Sequence, residues 1–207
     1  MTVVKWDASD ADIVLERIEE EFSKDLPVII PTDTIYGLAA PVGNIRCLEA
    51  IYELKQRPPE MTLPVAVGNL PMVDDIAVIK RWQKDPIRRG LPGALTIILE
   101  VKADLPALVV RDGTIAVRVP RHPIFIPLTS RVGPVGLTSA NRHGDGNILN
   151  AEEIDRQFEG NLLVVEDDKA LSGRASAIID LTNETASILR EGNLNMDELM
   201  GGEHGGR

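Results

Sequence analysis

The chain has 207 residues, of which 43% are hydrophobic and only 3% aromatic, so one large domain with an aliphatic core is expected, as in an α/β sheet covered by helices. No apolar run approaches the roughly 20 residues that cross a bilayer, and residues 1–12 lack the basic and apolar parts of a signal peptide, which argues against a membrane protein. The formal charge of −10 argues against tight, non-specific binding to a nucleic-acid backbone.

Metal-ligating side chains are few. Cys47 is the sole cysteine, so no internal disulfide can form, and a cytoplasmic location is expected. The histidines at 122, 143 and 204 have no metal-ligand spacing, although carboxylates and phosphates could hold Mg²⁺. The sequence therefore names no metal ligand.

Apolar periodicity predicts alternating helices and strands. A helix is expected over 8–24, a buried strand over 27–31, and a second helix from the N-cap Asn44 to the prolines at 58 and 59. Further strands are predicted at 63–67, 95–101, 115–119, 135–137, 162–165, 177–181 and 188–189, and further helices at 72–79, 122–131, 151–158 and 196–200. Because these elements do not alternate strictly, a mixed sheet is expected.

A polar segment follows the first predicted strand. The letters PTDTIYG at 31–37 place two hydroxyls, a carboxylate and a glycine at a strand exit, where α/β sheets bind ligands. They also fit a capped turn in which Thr32 and Asp33 bond local amides. On the residues alone, both interpretations stay open.

Two cations, Lys55 and Arg57, stand one residue apart where the second helix ends. In an extended segment they would point to the same side and could grip neighbouring phosphate oxygens. Basic residues at a helix C-terminus also complement the helix dipole, which is the more common explanation for such a pair.

The strand at 114–118 carries an arginine among apolar neighbours. Its alternation places Thr114 and Arg118 on one face, and Val117 and Val119 flank the arginine. A buried charge without a partner is costly, so Arg118 needs a phosphate or a carboxylate. A substrate and an acid within the protein would serve equally.

Small polar residues end another predicted strand, in the segment GLTSAN at 136–141. Ser139 and Asn141 could donate hydrogen bonds to phosphate oxygens. A turn closed by an Asx bond explains the same letters equally well.

Together, these segments resemble a known family. PTDTIYGL, KQR, LPGALTIIL, TIAVRVPRHP, LTSAN, SAIIDLT and ILREG occur in the order and spacing of the YrdC-like domain of threonylcarbamoyl-AMP synthases, over about residues 10–195. The resemblance implies an α/β fold, a twisted open mixed sheet with flanking helices around a basic cavity. It also implies the short form of the family, with the YrdC-like domain over 1–200 and a flexible tail over 201–207.

The reaction implied by the resemblance joins L-threonine, bicarbonate or CO₂, and ATP into threonylcarbamoyl-AMP and pyrophosphate, with Mg²⁺ accompanying ATP. The product would pass to a threonylcarbamoyl transferase complex for tRNA modification, while direct binding of tRNA is expected to be weak.

The resemblance also assigns residues. It implies a catalytic set of Lys55, Arg57, Ser139 and Asn141. It implies ATP contacts at Lys55, Arg57, Thr114, Ser139, Asn147 and Arg190. It implies threonine contacts at Thr34, Arg118, Ser176 and the main chain of Leu137. Two positions depart from many relatives, which have a lysine in place of Met61 and a histidine in place of Ala66.

Two other functions are compatible with the same sequence motifs. One is a related nucleotide-binding or ATP-hydrolysing protein that lacks the threonine reaction, to which the changes at Met61 and Ala66 point. The other is an RNA-binding module without synthase activity, which the charge of −10 disfavours.

Overall fold

The computed structural model describes residues 2–141, 150–159, 161–167, 171–192 and 194–201. In these ranges the helices are α1 Ala11–Ser23, α2 Ile45–Lys55, α3 Leu70–Ile76, α4 Lys84–Gly90, α5 Phe125–Val132, α6 Ala151–Gln157 and α7 Met196–Met200. The strands are β1 Thr2–Lys5, β2 Val28–Ile30, β3 Gly37–Pro41, β4 Val65–Ala66, β5 Ala77–Val78, β6 Leu95–Val101, β7 Val110–Arg111, β8 Thr114–Arg118, β9 Val135–Ser139, β10 Leu163–Glu166, β11 Ala177–Asp180 and β12 Ser187–Arg190.

All the strands of the described residues join one mixed sheet. Its order is β1-β10-β2-β3-β9-β4-β8-β6-β11-β12, with β5 beside β6 and β7 beside β8. The pairs β1/β10, β10/β2, β4/β8 and β6/β11 are parallel, and the other pairs are antiparallel. The predicted α/β fold with a mixed sheet is therefore confirmed.

The core is aliphatic, as the composition predicts. Strand side chains such as Ile29, Leu38 and Ile97 are fully buried, and Phe125 is the one aromatic residue among the largest fully buried side chains of the described chain. In that same part of the chain, no helix has the length and apolar character needed to cross a membrane.

Most predicted elements are present, with shifted ends. The strand over 95–101 and the helix over 196–200 have the predicted bounds. The helix predicted over 122–131 begins three residues later, at Phe125, and the helix predicted over 72–79 ends at Ile76, where the chain enters β5.

Two central elements were not predicted. The strand β3 has the sequence GLAAP, without β-branched residues, yet all five residues are buried between β2 and β9. The helix α4 contains Pro86 in its first turn, where a proline is tolerated because the amide there has no partner in the helix. Both sequences run against strand or helix propensity, and packing decides their structure.

Candidate active site

A cleft of ≈ 330 Å³ lies over the strands from β3 to β12. Its polar lining residues are Thr32, Tyr36, Arg57, Thr96, Arg118, Thr138, Ser139, Ser176 and Arg190, and aliphatic side chains such as Ile35, Ala66, Leu137 and Ile178 fill the space between them. None of the described lining residues is acidic. The cleft is therefore suited to an anionic ligand with an apolar part.

Arg118 is anchored by an acid of the protein and still faces the cleft. Its Nη2 donates to Asp33 Oδ1 at 2.7 Å, and its Nε donates to the Gly93 carbonyl at 3.2 Å. Burial lowers the pKa of the Arg118 guanidinium, an effect that the neighbouring Asp33 opposes. These bonds use two of the five N–H donors of the side chain, so a ligand in the cleft can take the others.

The same Asp33 oxygen also accepts a bond from the Arg121 amide at 3.0 Å. The sequence left Asp33 open between a ligand site and a capped turn, and it did not identify the acid that pairs with Arg118. The two residues are 85 positions apart, and only the sheet brings the end of β8 next to the turn after β2.

Lys55 and Arg57 lie in different environments, because the chain does not form the extended segment in which they would point to the same side. Lys55 is the last residue of α2, and Gln56 has a left-handed backbone with φ of 50° that reverses the chain before Arg57. Arg57 lines the cleft and donates to the Met61 and Thr62 carbonyls, both at 2.8 Å. Burial lowers the pKa of its guanidinium.

Lys55 is buried and organises the end of β9. Its Nζ donates to the Ser139 carbonyl at 2.6 Å, to the Asn141 carbonyl, and to Asn141 Oδ1 at 3.3 Å. Ser139 Oγ donates to the same Asn141 Oδ1 at 2.5 Å. Of these three residues, Ser139 alone lines the cleft, so the lysine and the asparagine fix the shape of its wall.

Thr34 and Leu137, both expected at the threonine site, differ in their placement. Thr34 is fully buried, and its hydroxyl lies 2.9 Å from that of Thr32, which lines the cleft in its place. Leu137 lines the cleft, while its amide donates to the Pro64 carbonyl at 2.8 Å.

Ser176 and Arg190 meet at the β12 side of the cleft. The Nε of Arg190 donates to the Ser176 carbonyl at 2.9 Å, and its Nη2 donates to Ser176 Oγ at 3.3 Å. Partial burial lowers the pKa of the Arg190 guanidinium. Thr96, which sequence reasoning did not select, lies 2.9 Å from Ser176 Oγ. The sequence feature that could have identified Thr96 is its hydroxyl group within an otherwise aliphatic strand.

Thr114, a predicted ATP contact, is not among the residues that line this cleft. Thr114 begins β8 and donates to the Arg111 carbonyl at 2.8 Å. It lies four residues, or roughly 13 Å of strand, from Arg118 at the other end. Asn147 lies outside the described residues.

The described residues do not fit a metal centre built by the protein. They contain no group of three or more histidine, cysteine or acidic side chains able to hold a metal ion. Asp33, beside the cleft, is already paired with Arg118.

Known proteins share this sequence and fold. A Methanocaldococcus jannaschii protein, provisionally named a threonylcarbamoyl-AMP synthase, is 30% identical over 90% of this chain and 89% of its own. The threonylcarbamoyl-AMP synthase of Bacillus subtilis is 30% identical over 83% of this chain and 51% of its own. The chain thus spans about half the length of the second relative.

A solved structure agrees with these relatives. Pyrococcus abyssi Sua5 in complex with L-threonine superposes with a TM-score of 0.84 at 26% identity, over 97% of this chain and 60% of that one. Residues 20–192 match the model of the Sua5, YciO and YrdC family, which carries the description telomere recombination. Since this match covers most of the chain and the fold agrees, the chain belongs to the Sua5/YciO/YrdC family.

Proposed function

We propose that this chain is an L-threonylcarbamoyladenylate synthase, which joins L-threonine, bicarbonate or CO₂, and ATP into threonylcarbamoyl-AMP and pyrophosphate. The observation that carries the proposal is the cleft, where Arg57, Arg118 and Arg190 converge with hydroxyl groups and no acidic lining residue among those described. Threonine and ATP must meet in this cleft, and the groups to be held there, a carboxylate and the phosphates, are anionic. Relatives named for this activity support the assignment.

Arg118 is the group we assign to the threonine carboxylate. A guanidinium can hold a carboxylate through two parallel hydrogen bonds, and Asp33 and Gly93 fix its plane from behind. Ser176 and the wall formed by Leu137 complete the amino-acid end of the cleft. The buried Thr34 acts there through Thr32, with which it shares a hydrogen bond.

Arg57, Arg190 and Ser139 are the groups we assign to the ATP phosphates. Arg57 and Arg190 both line the cleft and keep N–H donors beyond those bonded within the protein. Lys55 and Asn141 support this end by holding the carbonyls and side chain around Ser139. Thr114 and Asn147 stay assigned to ATP by resemblance alone.

The chemistry requires charge neutralisation more than proton transfer. The threonine amine and bicarbonate form a carbamate and water, and a carbamate oxygen then attacks the α-phosphorus as pyrophosphate leaves. Because the carbamate is already an anion, no general base is needed for the attack. The arginines would stabilise the charge that develops on phosphate oxygens, and Arg118 would orient the nucleophile.

Mg²⁺ enters this proposal only as a companion of the ATP phosphates, and no step is assigned to it. The adenylate product would be consumed by a threonylcarbamoyl transferase complex for tRNA modification. In keeping with the charge of −10, direct tRNA binding by this chain is expected to be weak.

One assay tests the proposal. The protein is incubated with ATP, bicarbonate and labelled threonine, and threonylcarbamoyl-AMP and pyrophosphate are quantified. Equal amounts of both products are expected, and omission of threonine should stop pyrophosphate release. ATP hydrolysis that ignores threonine would identify a related ATPase, while a salt-dependent tRNA shift without turnover would identify an RNA-binding module.

A further inference from the structure

A buried histidine and a buried aspartate form a pair outside the cleft. His122 Nε2 lies 2.8 Å from Asp167 Oδ2, and the two side chains are 5% and 8% exposed. His122 comes four residues after the end of β8, and Asp167 directly follows β10, which four other strands separate from β8 in the sheet. Neither residue lines the cleft. The pair therefore joins the ends of two strands that do not pair with each other.

The hydrogen bonds of the imidazole ring leave His122 without a nitrogen for acid–base catalysis. Its Nδ1 accepts from the Ile124 amide at 3.3 Å, so the ring hydrogen is on Nε2 and is donated to Asp167. A histidine paired with a carboxylate is often a catalytic base, but a base needs one nitrogen within reach of the substrate. Both nitrogens of His122 are engaged within the protein, so the pair can act on the cleft only through the backbone that it holds.

The residue before His122 is bonded to the acid that holds Arg118. The Arg121 amide donates to Asp33 Oδ1 at 3.0 Å, and Arg118 Nη2 donates to the same oxygen at 2.7 Å. These two bonds reach the carboxylate from different segments and fix its orientation. A shift of the backbone at Arg121 would therefore turn the Asp33 carboxylate and the guanidinium bonded to it.

The segment 119–122 also holds the second partner of Arg118, the Gly93 carbonyl to which its Nε donates. The Gly93 amide donates to the Val119 carbonyl at 2.8 Å. The Arg121 guanidinium donates to the neighbouring Pro92 carbonyl, through Nε at 3.2 Å and through Nη2 at 2.9 Å. Both groups that set the plane of the Arg118 guanidinium thus depend on this one segment, which the imidazole–carboxylate pair ties to β10.

We propose that His122 is a positioning residue for the amino-acid end of the cleft, because its bond to Asp167 fixes the segment that orients Arg118. The inference rests on the proposed function, in which Arg118 holds the threonine carboxylate. A guanidinium binds a carboxylate through two parallel bonds only when its plane is in place, so a small turn lowers the affinity for threonine while the charge is unchanged. The groups assigned to ATP, Arg57 and Arg190, are bonded to other parts of the protein.

The test uses two substitutions of His122 that each keep one bond of the ring. His122→Asn places an amide oxygen near the position of Nδ1, where it can accept from the Ile124 amide, but the side chain is too short to reach Asp167. His122→Gln places an amide N–H near the position of Nε2, keeps the bond to Asp167 and serves as the matched control. The KM values for threonine and ATP are measured at saturating bicarbonate, and melting temperatures show whether each variant is folded.

For His122→Asn, we expect the KM for threonine to rise about tenfold, the scale of one lost bond between charged groups, while the KM for ATP changes by less than about twofold. His122→Gln should keep the KM for threonine within about threefold of the wild type, because the bond to Asp167 remains. Both variants should melt at a lower temperature than the wild type. If His122→Asn does not fold, Asp167→Ala breaks the same bond from the other side and should raise the same constant.

Other outcomes overturn the inference in distinguishable ways. A folded, active His122→Asn variant with an unchanged KM for threonine would make the pair purely structural and leave the proposed function intact. Equal rises in His122→Asn and His122→Gln would mean that the bond to Asp167 does not orient Arg118. Equal rises in the KM for threonine and for ATP would indicate a general loosening of the cleft. A wild-type protein that forms no threonylcarbamoyl-AMP overturns the proposed function and the positioning role together.

Discussion

Single residues of the cleft act through the partners that hold them. Arg118 has an acid behind it, Arg57 has two carbonyls, and Ser139 is fixed by an asparagine that a buried lysine holds. A flexible, hydrated cation would have to be ordered by the ligand, at a cost in side-chain entropy. These side chains are already ordered, so their donors are in place before a ligand binds.

Asp33 offers a test of this arrangement, because it orders Arg118 without lining the cleft. Asp33→Asn keeps the shape but removes the charge opposite a buried guanidinium, which should cost about 3 kcal/mol of folding free energy. The KM for threonine should rise about tenfold, the scale of one bond between charged groups, while the KM for ATP changes little. Chemical denaturation and steady-state kinetics measure the two effects.

The matched control is Asp12→Asn, which breaks the ion pair of Asp12 with Arg131. The Asp12 side chain is 84% exposed, so this loss should stay within about 0.5 kcal/mol and leave both KM values unchanged. Equal losses of stability in the two variants, with an unchanged KM for threonine in Asp33→Asn, would show that Asp33 does not position Arg118.

Among the elements, α2 connects α1 with the wall of the cleft through its two ends. Its N-cap Asn44 accepts a bond from the Cys47 amide at 3.1 Å, and its Nδ2 donates to the Phe22 carbonyl at the end of α1 and to Asp25. The other end delivers Lys55 to the end of β9. The cap thus fixes both the start of the helix and its position relative to α1.

Substitutions at two N-caps separate the stability that the cap gives to α2 from the stability that the bonds to α1 and Asp25 add. Asn44→Ala should destabilise the protein by about 2 kcal/mol, one for the cap and one for the bonds to α1 and Asp25. Asn69→Ala, at the start of α3, removes only the bond from the Met72 amide and should cost about 1 kcal/mol. With about 2–4 °C per kcal/mol for a chain of this size, the melting temperatures should fall by about 4–8 and 2–4 °C. Equal shifts would mean that the bonds from Asn44 Nδ2 add nothing.

The elements also mark how far the sequence predicts this structure. The N-cap, the aliphatic strand β6 and the helix α7 are local signals, and they are confirmed. The strand β3 and the pairing of Asp33 with Arg118 depend on contacts between distant segments, which periodicity does not contain. The divergence of Lys55 and Arg57 depends on one left-handed residue, Gln56, a conformation uncommon outside glycine.

At the scale of the molecule, the cleft has a charge opposite to that of the chain. The chain carries −10, yet the described lining residues include three arginines and no acid. At physiological ionic strength the field of exposed charges fades over about 8 Å, so a ligand in the cleft responds mainly to the arginines. The negative charge of the whole chain therefore does not prevent an anionic ligand from binding in the cleft.

The lining residues run from Thr32 to Arg190 and come from strands across much of the sheet. Because unfolding separates all of them, ATP should bind the folded state alone and stabilise it as a whole. At a concentration a hundredfold above its Kd, ATP should add about 2.7 kcal/mol, which corresponds to a rise of about 5–10 °C in melting temperature.

Arg57→Ala should lose more than half of this ATP-induced rise, whatever its own melting temperature without ligand. Arg17→Ala, which removes a half-exposed cation paired with Glu20 away from the cleft, should keep the full rise. Thermal unfolding with and without ATP measures each difference, and an equal ATP-induced rise in the two variants would place Arg57 outside the nucleotide site.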